Sequence, residues 1–176
     1  MNKYLNKMKK ILAVLIVLTL SGCKSMMENQ TISKTNINST LDVWHKAAAD
    51  ANYNDYCSVM TDDAVFIGTD ATENWNKTAF QAYSKPHFDK GKAWSFTALE
   101  RHIYFDETGK TAWFDELLDT QMKICRGSGV LIKIGKEWKI KHYVLSMTIP
   151  NDNSIEVIKV KASIEDAVIK KLQVKQ

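Results

Sequence analysis

Ile37, Leu41, Trp44 and Ala48 recur at i, i+4, i+7 and i+11, the period of one buried helix face. That spacing predicts a first helix, with Ser39 and Asp42 placed as a capping box at its start. A short second helix over Asp55–Met60 leads into a strand at Ala64–Ile67, and Gly68–Asn76 reads as a loop. A third helix starts near Lys77, with Phe80, Tyr83, Ser84, His87 and Phe88 on one face, Pro86 as a kink or early stop, and Gly91 as its end. The pattern then changes to strands: Trp94–Phe105, Thr111–Leu118, Met122–Ile134 and Glu137–Ile149, the last two joined through Gly135-Lys136. Pro150-Asn151-Asp152-Asn153 closes this region, and Ile164, Ala167, Val168 and Leu172 mark a tail helix with Ser163 as its cap. Helices and strands are segregated, so the fold class is α+β. A long curved antiparallel sheet wrapped on N-terminal helices makes a cone with an apolar pocket.

The hydrophobic pattern at the start of the chain is of another kind. Residues 1–10 are polar and cationic, 11–20 run ILAVLIVLTL, and Ser21-Gly22-Cys23 follows. A positive region, a short apolar run and small residues make an export signal, and the run is too short for a stable membrane span. Leu20-Ser21-Gly22-Cys23 resembles the bacterial lipobox. That resemblance implies cleavage before Cys23 and acyl chains on it. Residues 1–22 are then a lipoprotein signal peptide, 23–36 a polar tether, 37–152 the folded domain and 153–176 a helical tail. The expected location is the cell envelope, lipid-anchored, with the outer membrane facing the periplasm favoured because Lys24, not aspartate, follows the cysteine.

Charge and composition fit this division. The 176 residues carry 24 Lys+Arg against 20 Asp+Glu, a formal charge of +4. Lys3, Lys7, Lys9 and Lys10 account for the whole excess, since residues 1–22 hold no acid. The rest of the chain is formally neutral, which gives no basis for a nucleic-acid partner. His45, His87, His102 and His142 lack ligand-like spacing and no CxxC occurs, so neither a metal site nor a cofactor is expected. Cys57 and Cys125 are left after processing, as free thiols or as a disulfide formed after export.

Several stretches, in order, carry a second resemblance: Val65-Phe66-Ile67-Gly68-Thr69-Asp70-Ala71-Thr72-Glu73-Asn74-Trp75, Ala112-Trp113-Phe114-Asp115-Glu116, Arg126-Gly127-Ser128-Gly129-Val130-Leu131, and Trp138 through Ser146 ending in Ile149-Pro150-Asn151. Residues 37–152 resemble the SnoaL-like branch of the nuclear transport factor 2-like superfamily. The resemblance implies a highly curved sheet around helices, often in a homodimer. It leaves the chemistry open, because the superfamily includes isomerases, dehydratases, cyclases and binding domains without catalysis.

Strict alternation along the last strand places Trp138, Ile140, His142, Val144 and Ser146 on one face, which points His142 into the cone. There it is a general base, a donor that orients a ligand, or a structural histidine. Arg126 shares parity with Ser128, Val130 and Ile132, and inside the cone it needs Asp115 or an anionic ligand as its partner. Asp115 and Glu116 point to opposite faces, so one of them enters the pocket, and Asp115, with Trp113 on its side, is the candidate base. Phe66, Trp75 and Tyr83 belong to the segments expected at the cone mouth, where aromatic walls suit a ligand with few polar contacts. Glu73 and Asp70 read as turn caps. Three functions follow: a lipid-anchored protein that binds a small, partly apolar molecule; a cofactor-independent isomerase, dehydratase or hydrolase using His142 and Asp115; or a dimerising assembly module with no ligand.

Overall fold

A computed structural model describes residues 30–174. The signal segment, Cys23 and the tether up to residue 29 lie outside the described residues.

Helix α1 is described over residues 30–49. Ile37, Leu41, Trp44 and Ala48 are all buried on its one face, as their spacing predicts. The helix takes in residues 30–36, which the sequence reading assigned to the tether. Ser33, one turn before Ile37, continues the buried face, and its small side chain carries no hydrophobic signal. Ser39 and Asp42 therefore lie inside the helix and form no cap. The helix ends at Ala51 in the left-handed region, at φ 56°. Bonds from Ala51 N to Ala48 O and from Asn52 N to Ala47 O close the last turn in a Schellman pattern. Helix α2 follows at once over Tyr53–Ser58, with the Asn52 side chain accepting from the Asp55 amide.

Six strands form one sheet: β1 Met60–Ile67, β2 Asn74–Asn76, β3 Phe96–Phe105, β4 Thr111–Thr120, β5 Lys123–Ile134 and β6 Glu137–Met147. Their spatial order is β2-β1-β6-β5-β4-β3. All neighbours are antiparallel except β1 and β6, which run parallel with Val65 opposite His142. The expected loop Gly68–Asn76 contains β2, a short partner of β1. Helix α3, Lys77–Phe88, is capped by Asn76 and buries Phe80, Ser84 and Phe88. Pro86 sits in its last turn, and the helix stops two residues later.

The concave face of the sheet holds the core, and two β-bulges decide which residues reach it. Leu99 is the extra residue in β3: Ala98 faces Leu118 and Glu100 faces Leu117. The inward set changes there from Phe96 and Ala98 to Arg101, Ile103 and Phe105. Lys141 is the extra residue in β6: Leu131 faces Ile140 and Val130 faces His142. Inward residues change there from Trp138 and Ile140 to Tyr143 and Leu145. On β5 the inward residues are Cys125, Gly127, Gly129 and Leu131. Cys125 and Cys57 are both buried and both free.

After the sheet, Asn151–Asn153 make one 3-10 turn and Ser154–Gln173 form helix α4, with Asn153 at the cap position, ten residues before the expected Ser163. No residue of α4 is buried.

The bulge in β6 is matched by a glycine. A Cβ at residue 129 would lie 2.4 Å from the His142 carbonyl oxygen and 2.8 Å from the Phe114 ring. One obstacle is backbone and the other a buried ring, so neither yields easily. Gly129→Ala is expected to lower stability by about 1–3 kcal/mol. A urea midpoint equal to that of the wild type would contradict this fit.

Candidate functional site

Six aromatic rings line a cavity of about 220 Å³ at one end of the cone: Phe66, Trp75, Phe80, Tyr83, Trp94 and Phe96. They come from β1, β2, α3 and the segment entering β3. Phe66 and Phe80 stack at 3.9 Å, and Trp75 and Tyr83 at 4.5 Å. Leu145 and Met122 add aliphatic surface, and Thr69, Glu73, His87 and Gln121 supply the polar groups. His87 lies between Tyr83 and Trp94, with ring centroids 5.4 and 6.4 Å away.

The turn between β1 and β2 fixes one wall. Asp70 accepts from the Thr72 amide and hydroxyl, which holds its carboxyl below the ordinary range. Gly68 N donates to Glu73 O, and Glu73 Oε2 accepts from the Asp70 amide at 3.1 Å. Gly68 leaves the space that this carboxylate fills, since a Cβ there would lie 2.1 Å from Glu73 Oε2. Burial, and then the Glu73 charge, raise the Tyr83 phenol above its usual value.

Elsewhere on the concave face lies a buried ionic cluster. Glu116 Oε1 is 2.9 Å from His45 Nε2, and Glu116 Oε2 accepts from Arg101 Nε at 2.8 Å. The Tyr143 hydroxyl donates to Glu116 Oε1 at 3.3 Å. Arg101 also reaches Asp42 and Asn38 on α1. Burial pushes the Glu116 carboxyl up, but the His45 hydrogen bond and charge, together with Arg101, hold it below the ordinary value. Burial and the adjacent Glu116 charge raise the Tyr143 phenol well above its usual range. Gly127 makes room for the cluster, because a Cβ there would lie 2.3 Å from the Tyr143 hydroxyl. None of Glu116, His45, Arg101 or Tyr143 lines the cavity. Among the described residues no group of three or more His, Cys, Asp or Glu is placed to hold a metal ion.

The family model for the SnoaL-like domain matches residues 37–150. The chain belongs to the SnoaL-like domain family. Solved structures agree on the fold. A nuclear transport factor 2-like protein of unknown function from Pseudomonas putida KT2440 is 16% identical, with TM-score 0.58, covering 70% of this chain and 92% of that one. A protein from Novosphingobium aromaticivorans DSM 12444, provisionally named a scytalone dehydratase, is 10% identical, with TM-score 0.60, covering 70% of this chain and 89% of that one. A nuclear transport factor 2-like protein from Cytophaga hutchinsonii ATCC 33406 is 14% identical, with TM-score 0.55, covering 65% and 98%. No curated protein matches the chain.

Within this SnoaL-like cone, Phe66, Trp75 and Tyr83 line the cavity, while Asp115, Trp113, Arg126 and His142 do not. His142 is turned away from the concave face by the Lys141 bulge, which strict alternation along β6 overlooks. Arg126 is exposed, and its strand neighbour on β4 is Leu117, so the expected Arg126–Asp115 pair is not formed. The outward row Arg126, Ser128, Val130 and Ile132 looks more like a core face than the inward row does, because two inward positions are glycine. Asp115 is on the convex face, 3.1 Å from His102, whose ring it holds above its usual pKa. Trp113 is 47% exposed there, stacked across the strands on Tyr104 at 6.0 Å. Glu116 is the carboxylate that turns inward.

His87, Trp94, Phe96 and Gln121 line the cavity without being expected there, and Glu73, expected as a turn cap, both caps its turn and lines the cavity. His87 carried a signal, since it shares the α3 face of Phe80 and Tyr83. His45 and Arg101 gave none, because their roles depend on contacts across the fold.

Glu116→Gln takes the buried carboxylate from Arg101 and leaves it the exposed Asp42, and is expected to cost about 3–5 kcal/mol near neutral pH. Because the folded-state pKa of Glu116 is depressed, its stabilisation is present above the unfolded carboxyl range and is lost as pH falls through the lowered value. Urea midpoints of wild type and Glu116→Gln should therefore converge in acid. A gap that stays constant with pH would show that ionisation of Glu116 is not the source.

Proposed function

We propose that the chain is an envelope lipoprotein whose cone binds a small, partly apolar molecule. The observation that carries the binding reading is the aromatic-walled cavity with few polar groups, the general form of a small-molecule site. An engineered cavity of about 150 Å³ takes up benzene, so the space here suits roughly one ring with a short side chain. The lipobox-like run ending at Cys23 supports the anchor, placing the domain at a membrane surface of the envelope.

A catalytic reading has one observation in its favour: two titratable groups, His87 and Glu73, line the same cavity. In that reading these two handle protons on the bound molecule, in place of His142 and Asp115. A turnover assay on any identified ligand decides between the two. Loss of turnover in His87→Ala with binding retained supports catalysis, and no conversion by the wild type supports binding alone.

Native mass spectrometry of the purified chain is expected to reveal a copurifying small molecule, lost on Trp75→Ala while the circular dichroism spectrum is kept. Retention of that molecule in Trp75→Ala would move the site elsewhere. Cys23→Ser is expected to abolish acylation and shift the protein from the membrane to the soluble fraction. Acyl chains still present on the variant would remove Cys23 from that role.

A further inference from the structure

The chemistry of the cavity wall narrows the ligand. Among the described residues, Glu73 is the one carboxylate that lines the cavity and His87 the one basic side chain, with neither lysine nor arginine there. The six rings around it present π-systems whose faces are electron-rich, which attract cations and repel anions. Trp75 and Tyr83 form a stacked pair, and Trp75 follows Glu73 by two residues in the chain. The field of Glu73 already reaches Tyr83, since its charge is one of the causes that raise that phenol. Nor is Glu73 at the wall by accident of a long side chain. Its carboxylate is folded over Gly68 and held by the Asp70 amide, so it is ordered before any ligand arrives. An ordered carboxylate beside aromatic rings is complementary to an organic cation with an apolar body.

We propose that the cavity selects a small organic ammonium ion, with Glu73 and the Trp75–Tyr83 pair receiving the cationic head and Phe66 and Phe80 receiving the apolar body. This rests on the small-molecule reading above and names its ligand class.

The test compares three probes of similar size: benzyltrimethylammonium, its uncharged carbon isostere neopentylbenzene, and the anion 3-phenylpropionate. Binding is measured by isothermal titration into the full chain held in nanodiscs, with empty nanodiscs subtracted. Wild type is expected to bind the cation roughly tenfold or more tighter than the isostere, with the anion weakest. Glu73→Gln should bring the cation down to the affinity of the isostere while leaving the isostere unchanged. Gly68→Ala provides an independent variant. Its new methyl group takes the place of the Glu73 carboxylate, the far end of a long side chain, so the carboxylate is pushed from its position at the wall, and circular dichroism checks that the fold is kept. It should lose the same preference. Equal or tighter binding of the isostere or the anion in wild type overturns the ammonium reading and leaves the pocket standing. A preference unchanged in both variants overturns the role of Glu73. Failure of all three probes to bind overturns the pocket reading as well.

Discussion

A carboxylate removed from water is stable only when charges and donors replace its hydration, and Glu116 receives them from several elements at once. His45 comes from α1, Arg101 from β3 and Tyr143 from β6, while Gly127 of β5 withdraws its side chain to admit them. Arg101 extends the cluster back to Asp42 and Asn38 on α1. The helix is thus fixed against the sheet both in position along its axis and in rotation about it. A purely apolar contact between Leu41, Trp44 and the sheet has no comparable directionality, because hydrophobic burial is indifferent to small slides. The ionic cluster ties α1 to β3 and β4 through directional bonds, and Leu41 and Trp44 pack in the aromatic core beside it.

The bulges supply what the cluster needs. Without the extra Leu99, the inward parity of Phe96 and Ala98 would carry on to Glu100 and His102, and Arg101 would point to solvent. Without the extra Lys141, His142 would occupy the inward position that Tyr143 takes. Each strand places an apolar set inside at one end and a cluster residue inside at the other. The same device separates two environments on one concave face: a paired ionic centre and a cavity lined by stacked aromatic rings. That separation keeps the Glu116 charge engaged with protein groups and leaves Glu73 as the carboxylate at the cavity wall.

This division also explains what could be read from sequence. Helical periodicity located α1 and α3, and the turn residues at Gly109 and Gly135 located two hairpins, because those signals are local. Trp75, Phe66 and Tyr83 were legible as wall residues because a conspicuous aromatic cluster flanks a short loop. The errors fall where a one-residue insertion reverses parity, as at His142, or where the core face contains glycines, as beside Arg126. Alternation assumes that every residue advances the strand by one step, and bulges violate that assumption without a mark in composition. Alternation separates Asp115 from Glu116 but does not say which of the two faces inward. Their fates follow from Arg101 and His45, residues far away in the chain.

The parallel pairing of β1 with β6 has a kinetic side. Val65 meets His142, so one of the first strands made waits for the last before it has both neighbours. Such a distant contact must overcome a large loop-closure entropy before it contributes any stability. Until β6 docks, Phe66, Trp75 and Phe80 lack the Leu145 side of their enclosure, and these rings are exposed on an incomplete sheet. The aromatic cavity is consequently among the last parts of the molecule to mature. Until that last strand is in place, the uncovered rings and the open edge of β1 make the half-built sheet the form most prone to self-association.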